Sequence, residues 1–211
     1  SRGGKIEGRS GEKERTNVDH IYAIGDCVQG VPELMPVAQK SGKLLAHRLA
    51  LRKKEATPED VILQHFTTDY NLIPTTVFSP TEYSYVGLSE AEAVETHGED
   101  GIEVYHREAV PLREALYKSS TKVAYMKVIT TRGNAAKDPT VLKGSDERVL
   151  GIHYYGPAAD EMIAGLAVAM KLGMTKRDLD LTIGVHPSVT EDLYNLEITK
   201  RSGEDFRKTD C

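Results

Sequence analysis

A histidine before a proline, with a glutamate five residues later, is the segment of this sequence best suited to acid–base chemistry. It reads GVHPSVTE over residues 184–191. Pro187 favours an extended backbone at His186, and Ser188 with Glu191 has capping-box spacing, so a helix is predicted to begin there. Histidine titrates near neutral pH, and a nearby carboxylate can fix its tautomer and raise its basicity. On chemistry alone, the simpler interpretation is a loop histidine beside a glutamate that only caps the helix.

A second candidate site is an apolar run that ends in Gly25 and Asp26, followed by a predicted helix start at Pro36. Residues 18–24 have the length and composition of a buried strand in a parallel sheet. Ligands of doubly wound sheets lie beyond the carboxyl ends of the strands, where a helix N-terminus presents free N–H groups. Asp26 could there accept hydrogen bonds from sugar-like hydroxyls. Chemistry alone favours an ordinary strand, turn and helix with a surface aspartate.

The third candidate is Cys211, at the end of a polar segment that begins at Lys200. A cysteine on a mobile, accessible arm suits a thiol that carries electrons outward, and an incidental terminal cysteine is the alternative. We expect Gly203 and the charged residues to keep this arm unpacked. Cys27 is predicted to be a small buried residue without a redox role. No metal site is predicted.

The elements that must position these residues follow two patterns. After Pro36, one helix face is marked by Ala38, Gly42, Leu45 and Leu49, and the basic residues at the helix end, Arg48 among them, are interpreted as a solvated terminus. From residue 72 onward, strands are predicted at 75–78, 102–107, 123–130 and 149–155, and a helix at 158–172. Two further helices are predicted to begin at the capping box of Ser89 and Glu92 and at the cap Thr175. The last three strands are predicted to form an antiparallel sheet. The order favours an α+β domain preceded by part of an α/β domain.

Composition narrows the function classes. Lysine and arginine number 27 and aspartate and glutamate 32, a net charge of −5 that argues against a nucleic-acid partner. The longest uncharged apolar stretch, residues 162–170, is shorter than the ~20 residues of a membrane-spanning helix, so no membrane partner is expected. Two cysteines and the absence of a signal-like start favour a reducing compartment. Because the sequence begins with Ser1, we expect a fragment.

Residues 22–38 closely resemble the second FAD motif of glutathione reductases and thioredoxin reductases, in the pyridine nucleotide-disulfide oxidoreductase family. The resemblance implies that Asp26 binds the ribitol side of FAD and that Glu33 lies near both the flavin and the nicotinamide of NADPH. The cofactor-binding residues implied in this way are Gly25, Asp26, Glu33, Leu34, Met35, Pro36, Ala38 and His186.

Residues 184–191 resemble the His-Pro…Glu signature of flavin disulfide reductases. The resemblance implies that His186 is the acid and base of the thiol chemistry and that Glu191 is its partner. Gly184 stands where dihydrolipoamide dehydrogenases usually have a second histidine, which disfavours that branch. Residues 200–203, KRSG, resemble the stretch that precedes the C-terminal redox pair of large thioredoxin reductases, of which Cys211 would be one member.

The resemblance implies the C-terminal part of an NADPH- and FAD-dependent thioredoxin reductase that acts as a homodimer on thioredoxin. Residues 1–66 would complete an FAD-binding domain, residues 67–199 would form an α+β interface domain, and residues 200–211 a flexible redox tail. The expected location is the cytoplasm, with the mitochondrion as the alternative. Glutathione reductase, thioredoxin–glutathione reductase and a non-catalytic dimerisation fragment remain alternative interpretations. The sequence has no Gly-x-Gly-x-x-Gly fingerprint and no Cys-x-x-x-x-Cys pair, so we expect it to be inactive alone.

Overall fold

The computed structural model describes residues 3–54, 57–111, 124–134, 138 and 140–207. The chain divides into two compact units, Ser1–Tyr70 and Asn71–Cys211. Among the helices of the described ranges, none combines the length and the apolar character that a membrane-crossing helix needs.

The first unit is built on helix α1, Met35–Lys54, which is followed by helix α2, Glu59–Phe66. The buried face of α1 is one residue out of register with the predicted face: it consists of Val37, Ser41, Leu45 and Arg48. Leu49, which was predicted to lie on the packed face, is exposed. The helix takes this orientation because it buries Arg48 against glutamates of the preceding segment.

Arg48 is fully buried, so the prediction of a solvated helix terminus is wrong for this residue. Its Nε donates to Oε1 of Glu12 at 3.0 Å, and its Nη2 donates to Oε2 of Glu14 at 2.8 Å. Arg52, one turn later, binds both carboxylate oxygens of Glu12 at 3.0 Å. A buried guanidinium is tolerated only when carboxylates and hydrogen bonds compensate its charge, and these contacts supply that compensation.

Residues 18–24 do not form the predicted buried strand. Within the described part of the first unit, β pairing is limited to isolated bridges, such as the parallel bridge of Ile6 with Val28. Ile21 and Ile24 are exposed. A strand becomes regular only when neighbouring strands supply a continuous ladder of hydrogen bonds, and single bridges do not.

The second unit contains a five-stranded antiparallel sheet in the order β1-β2-β5-β4-β3, which confirms the predicted α+β class with an antiparallel sheet. The strands are β1 Thr75–Val77, β2 Tyr83–Gly87, β3 Ile102–Ala109, β4 Ala124–Thr131 and β5 Val149–Tyr155. The prediction missed β2, although its side chains alternate between buried and half-buried, as in a strand with one face on the core.

The main core lies between one face of this sheet and helix α4, Ala159–Lys171. The helix contributes Ile163, Leu166 and Met170, and the sheet contributes apolar side chains that include Met126 and Ile152. The helix occupies the predicted range because its apolar residues recur at the spacing of one helix face.

Three further α-helices, all short, lie within the described residues of the second unit. Helix α3, Glu90–His97, begins at the predicted Ser89–Glu92 capping box and ends at Gly98. Helix α5, Lys176–Asp180, is capped by Thr175, also as predicted. Helix α6, Val189–Tyr194, follows the His-Pro segment.

Candidate active site

His186 and Glu191 lie in contact at the start of α6. Nδ1 of His186 is 2.9 Å from Oε2 of Glu191. An ionised carboxylate can only accept hydrogen bonds, so Nδ1 carries the hydrogen and Nε2 keeps the free lone pair of the neutral ring. The histidine side chain is 78% exposed, whereas the glutamate is about a third exposed, at 31%. The pair therefore presents an oriented imidazole that can accept a proton from a molecule that docks on this surface.

The N-terminus of α6 is capped by Ser188, whose Oγ accepts the backbone N–H of Glu191 at 3.2 Å. The predicted capping box is only half present, since the Glu191 carboxylate binds the imidazole and not the backbone of Ser188. In the Ser89–Glu92 box, by contrast, both halves are formed. The cap needs only the N–H of Glu191, so its carboxylate is available to orient His186.

Buried contacts fix the position of α6. Leu193 of α6 and Leu196, two residues after its end, are fully buried in the main core. Asp192 also receives a hydrogen bond from Arg107 of β3, at 3.3 Å. The peptide bond between His186 and Pro187 is cis. The pair is thus presented by a helix that the sheet and the core hold in place.

In the first unit, the structure brings together Gly25 and Ala38, two of the predicted cofactor-binding residues. Gly25 opens a single 3₁₀ turn, Gly25–Cys27, with a φ of 69°, in the left-handed region that favours glycine. A Cβ on Gly25 would lie 3.0 Å from Cβ of Ala38 in the first turns of α1. The turn therefore packs directly on the helix start, and Asp26 is exposed beside it.

The start of α1 presents an open surface. Met35, its first residue, is 71% exposed, and Pro36 is exposed as well. The carbonyl of Leu34 accepts the N–H groups of Val37 and Ala38 at 3.0 and 3.1 Å, which begins the helix. Glu33, just before this point, forms an ion pair with Lys5. Together, these predicted residues form an exposed surface on which a flat ring system could lie.

Cys27 differs from its prediction, because it is exposed and not buried. Its thiol donates to the carbonyl of Ile24 at 3.3 Å. The 3₁₀ turn points the apolar residue Val28 inward in its place, and Val28 is fully buried.

Residues 198–207, here called the C-terminal segment, lie along the outer edge of β3. The backbone N–H of His106 donates to the carbonyl of Ile198, and that of Glu108 donates to the carbonyl of Phe206, both at 3.0 Å. The structure differs here from the expectation of an unpacked arm after Thr199. Gly203 has a φ of 70° and shapes a turn within the segment. Cys211 lies outside the described residues.

Charged residues of the C-terminal segment are paired with the sheet unit. Nζ of Lys200 contacts both carboxylate oxygens of Glu90 at 2.8 Å, and Lys127 of β4 contacts the same carboxylate at 3.1 Å. Arg201 donates to the carbonyl of Glu99 at 2.9 Å. The charges that were expected to keep the arm in solvent therefore help to hold it on the protein.

An apolar groove of about 640 Å³ opens on the outer face of α4, next to α5 and α6. Its lining includes Met162, Leu166, Ala169, Leu172, Leu179 and Tyr194. Leu172, in the lining, is 86% exposed, and Ile183, which follows the lining residue Thr182, is 95% exposed. Large apolar side chains that are exposed beside an apolar groove are typical of an interaction surface.

Two curated relatives cover nearly the whole chain. Thioredoxin reductase SEP1 of Emiliania huxleyi is 44% identical over 206 residues, which is 94% of this chain and 37% of that protein. Thioredoxin reductase 2, mitochondrial, of Drosophila melanogaster is 40% identical over 198 residues, which is 94% of this chain and 34% of that protein. The chain thus spans 34–37% of the length of these curated relatives.

A family model also matches the second unit. Residues 73–136 and 139–196 match the model described as pyridine nucleotide-disulphide oxidoreductase, dimerisation domain. These ranges include all five strands, the apolar groove and the His186–Glu191 pair. With more than half of its residues in that match, the chain belongs to the pyridine nucleotide-disulphide oxidoreductase family.

Proposed function

We propose that this chain is part of an NADPH- and FAD-dependent thioredoxin-disulfide reductase. The observation that carries the proposal is the 2.9 Å contact of His186 with Glu191, which leaves an exposed imidazole with Nε2 free. The names of the two relatives, both thioredoxin reductases, support the choice of substrate.

The proposed role of His186 is to move protons between thiols. Reduction of a substrate disulfide by a dithiol breaks one S–S bond, forms another, and transfers two protons with two electrons. Nε2 of His186 would take the proton of the attacking thiol and return it to the sulfur that leaves. Glu191 would hold the ring by Nδ1 and stabilise the imidazolium formed in between.

The residues of the first unit fit a role in holding FAD. The turn at Gly25 is pressed against Ala38, and the exposed carboxylate of Asp26 beside the start of α1 is free to accept hydrogen bonds from hydroxyls. Glu33, Leu34, Met35 and Pro36 would line the flavin side of this site. When bound, FAD would pass electrons from NADPH to a disulfide.

A homodimer is the proposed assembly. The apolar groove and the exposed Leu172 and Ile183 would be covered by a second copy of the chain. Ile183 is three residues from His186, so this association would bring the imidazole of one chain towards the flavin and disulfide of its partner. The high exposure of the His186 side chain supports a site that another chain completes.

The proposed organisation places the end of an FAD-binding domain in residues 1–66, an interface domain in residues 67–199 and a redox-active tail in residues 200–211. Cys211 would pass electrons from the partner's disulfide to thioredoxin. The proposed location is the cytoplasm, and the mitochondrial relative from Drosophila melanogaster supports the mitochondrion as the alternative.

The test is to assay the full-length protein that contains this chain, with NADPH, against thioredoxin and against glutathione disulfide. We expect thioredoxin to be reduced, and Cys211→Ser to abolish that reduction while NADPH still reduces the flavin. Turnover of glutathione disulfide alone would favour a glutathione reductase. Absence of NADPH oxidation with either substrate would favour a non-catalytic dimerisation role.

A further inference from the structure

We infer that Phe206 is a positioning residue for the C-terminal thiol: it holds the C-terminal segment on β3 and fixes where the last residues leave the protein. The inference rests on the proposed redox role of Cys211. It assigns a function to a phenylalanine that lies 15 residues after Glu191 in sequence.

The backbone of the C-terminal segment contacts β3 at both of its ends. Thr199 forms an antiparallel bridge with Tyr105, whereas Arg207 forms a parallel bridge with Glu108. The chain therefore reverses direction between these bridges, through the 3₁₀ turn Lys200–Ser202 and the left-handed Gly203. The segment is a closed loop on the edge of the sheet, and its second point of attachment is at residues 206 and 207.

The side chain of Phe206 reinforces the second attachment. Its ring stacks on His106 of β3 with 4.5 Å between ring centroids, and it meets the edge of Tyr125 of β4 at 6.0 Å. His106 and Tyr125 are themselves joined by a hydrogen bond of 3.2 Å between Nδ1 and Oη. Aromatic pairs of this kind stabilise by more than the area they bury. Phe206 is the large apolar side chain at the second attachment, so its loss should release residues 204–207 first.

The first attachment does not depend on Phe206. The hydrogen bond from His106 to Ile198 and the ion pair of Lys200 with Glu90 lie at the beginning of the segment. Removal of the phenyl ring should therefore leave this end in place. The two ends can be distinguished experimentally, because each contributes one acceptor to a different amide of β3.

The attachment at Phe206 limits the distance that the thiol can travel. An extended chain spans at most about 3.5 Å per residue, so Cys211, four residues after Arg207, can reach about 14 Å from it. With residues 204–207 released and the first attachment kept, the arm would leave the protein at Gly203, and the eight residues up to Cys211 would reach about 28 Å. Because effective concentration falls roughly as the −3/2 power of linker length, the shorter arm favours reaction with a disulfide within its reach by about threefold.

The docking is tested by amide hydrogen exchange in the full-length protein. Phe206→Ala should remove protection of the Glu108 amide, which donates to the carbonyl of Phe206, and leave the His106 amide protected. Phe206→Tyr, which keeps the ring, should retain both. Phe78→Ala, at an exposed phenylalanine of the same unit, should change neither. Unchanged protection of Glu108 in Phe206→Ala, or equal loss at both amides, would overturn the role of the ring.

The functional consequence is tested on thioredoxin turnover of the same variants. Phe206→Ala should lower the rate about threefold and leave the reduction of the flavin by NADPH unchanged, and Phe206→Tyr should keep the parent rate. A normal rate in Phe206→Ala, despite loss of protection at Glu108, would overturn the positioning role. If Cys211→Ser itself still reduced thioredoxin, the electron-carrying role of Cys211, and with it the positioning role of Phe206, would fail, while the exchange result would still decide the docking.

Discussion

The backbone of Gly184 lies against the side chain of Glu191. A Cβ at position 184 would stand 2.7 Å from Cβ and 2.8 Å from Cγ of Glu191, closer than non-bonded carbon atoms can approach. Any side chain at this position must therefore displace the residue that holds Nδ1 of His186. Glycine is required here by the space that the glutamate occupies.

Gly184→Ala should accordingly destabilise the second unit and move Glu191 away from His186. Overpacking of this kind costs about 1–3 kcal/mol in the free energy of unfolding, which urea denaturation measures. Gly101→Ala is a matched control, because the nearest atom to its added Cβ is at 3.4 Å. Equal stabilities of the two variants would show that Glu191 can move without penalty.

His186→Ala should lower thioredoxin turnover of the full-length enzyme about 10²–10⁴-fold, the usual contribution of a general acid–base group. The visible absorbance of the purified protein should show that FAD content falls far less than turnover, because the substitution removes proton transfer and not a flavin anchor. Glu191→Gln should lower turnover less, since its backbone N–H still caps α6. A loss below about tenfold in His186→Ala would assign the histidine a structural role.

The stability of the second unit should fall as the pH drops below the ordinary pKa of histidine, about 6.5. Burial lowers the pKa of His153; the hydrogen bond to the carbonyl of Leu88 opposes this shift in part, and the Lys127 ammonium adds to it. Nε2 lies 3.0 Å from the carbonyl of Leu88 and Nδ1 lies 2.7 Å from the hydroxyl of Tyr83, an arrangement that satisfies the neutral ring. A depressed pKa means that the unfolded state binds the proton more readily, so acid favours unfolding.

Urea midpoints at about pH 7.5 and about pH 5.5 test this expectation. His153→Gln, which cannot titrate but can still bond to both partners, should lose less stability between the two conditions than the parent protein. His97→Gln, at an exposed histidine, should behave like the parent. The same acid loss in His153→Gln would place the sensitivity elsewhere.

Arg48→Met should strongly destabilise the first unit. Removal of one partner from a buried ion pair typically costs about 3–5 kcal/mol, because the other charge is left without compensation. Here Glu14 would be left buried, with Tyr70 as a remaining donor at 2.7 Å. Chemical denaturation followed by circular dichroism measures the loss, and Lys43→Met, at an exposed position of the same helix, is the control.

The double variant Arg48→Met with Glu14→Gln isolates the charge. It should be more stable than Arg48→Met alone, because the amide removes the uncompensated carboxylate. No recovery in the double variant would show that packing of the arginine stem, and not its charge, stabilises this region.

Ile183→Glu should convert the proposed homodimer of the full-length protein to monomers, because it places a charge on a side chain that is 95% exposed in the single chain. Sedimentation velocity measures the change, and thioredoxin turnover should fall with it, since His186 would no longer meet a partner. The control is Leu142→Glu, at an exposed leucine of the same unit, which should leave the assembly unchanged. A dimeric Ile183→Glu would exclude this surface from the interface.

The features that the sequence predicted are local ones. The Ser89–Glu92 and Thr175 caps each join residues within a few positions, where spacing largely fixes the geometry. The pairing of His186 with Glu191 is also local, but the family resemblance indicated it, whereas the residues alone favoured a glutamate that only caps the helix. Strands with dense β-branched residues, such as β4, were predictable because this signal is local as well.

Features that depend on distant partners could not be predicted. Arg48 is buried by glutamates 34 and 36 positions away, and helix periodicity contains no sign of them. Phe206 docks on His106 of β3, which is distant in sequence. The polar composition of residues 200–207 contains no sign of this contact and predicted a solvated segment. Residues 18–24 were apolar enough for a strand, but pairing within the first unit is confined to single bridges.

The C-terminal segment also changes what the edge of the sheet presents to other proteins. β3 is an eight-residue edge strand, and the N–H groups of Val104, His106 and Glu108 are occupied by the Glu103 carboxylate and by the carbonyls of Ile198 and Phe206. Free N–H groups on a long edge strand invite strand addition from other chains and hence aggregation. Proteolysis before Ile198 would uncover two of these donors. The segment that precedes the thiol therefore also protects the fold from edge-to-edge association.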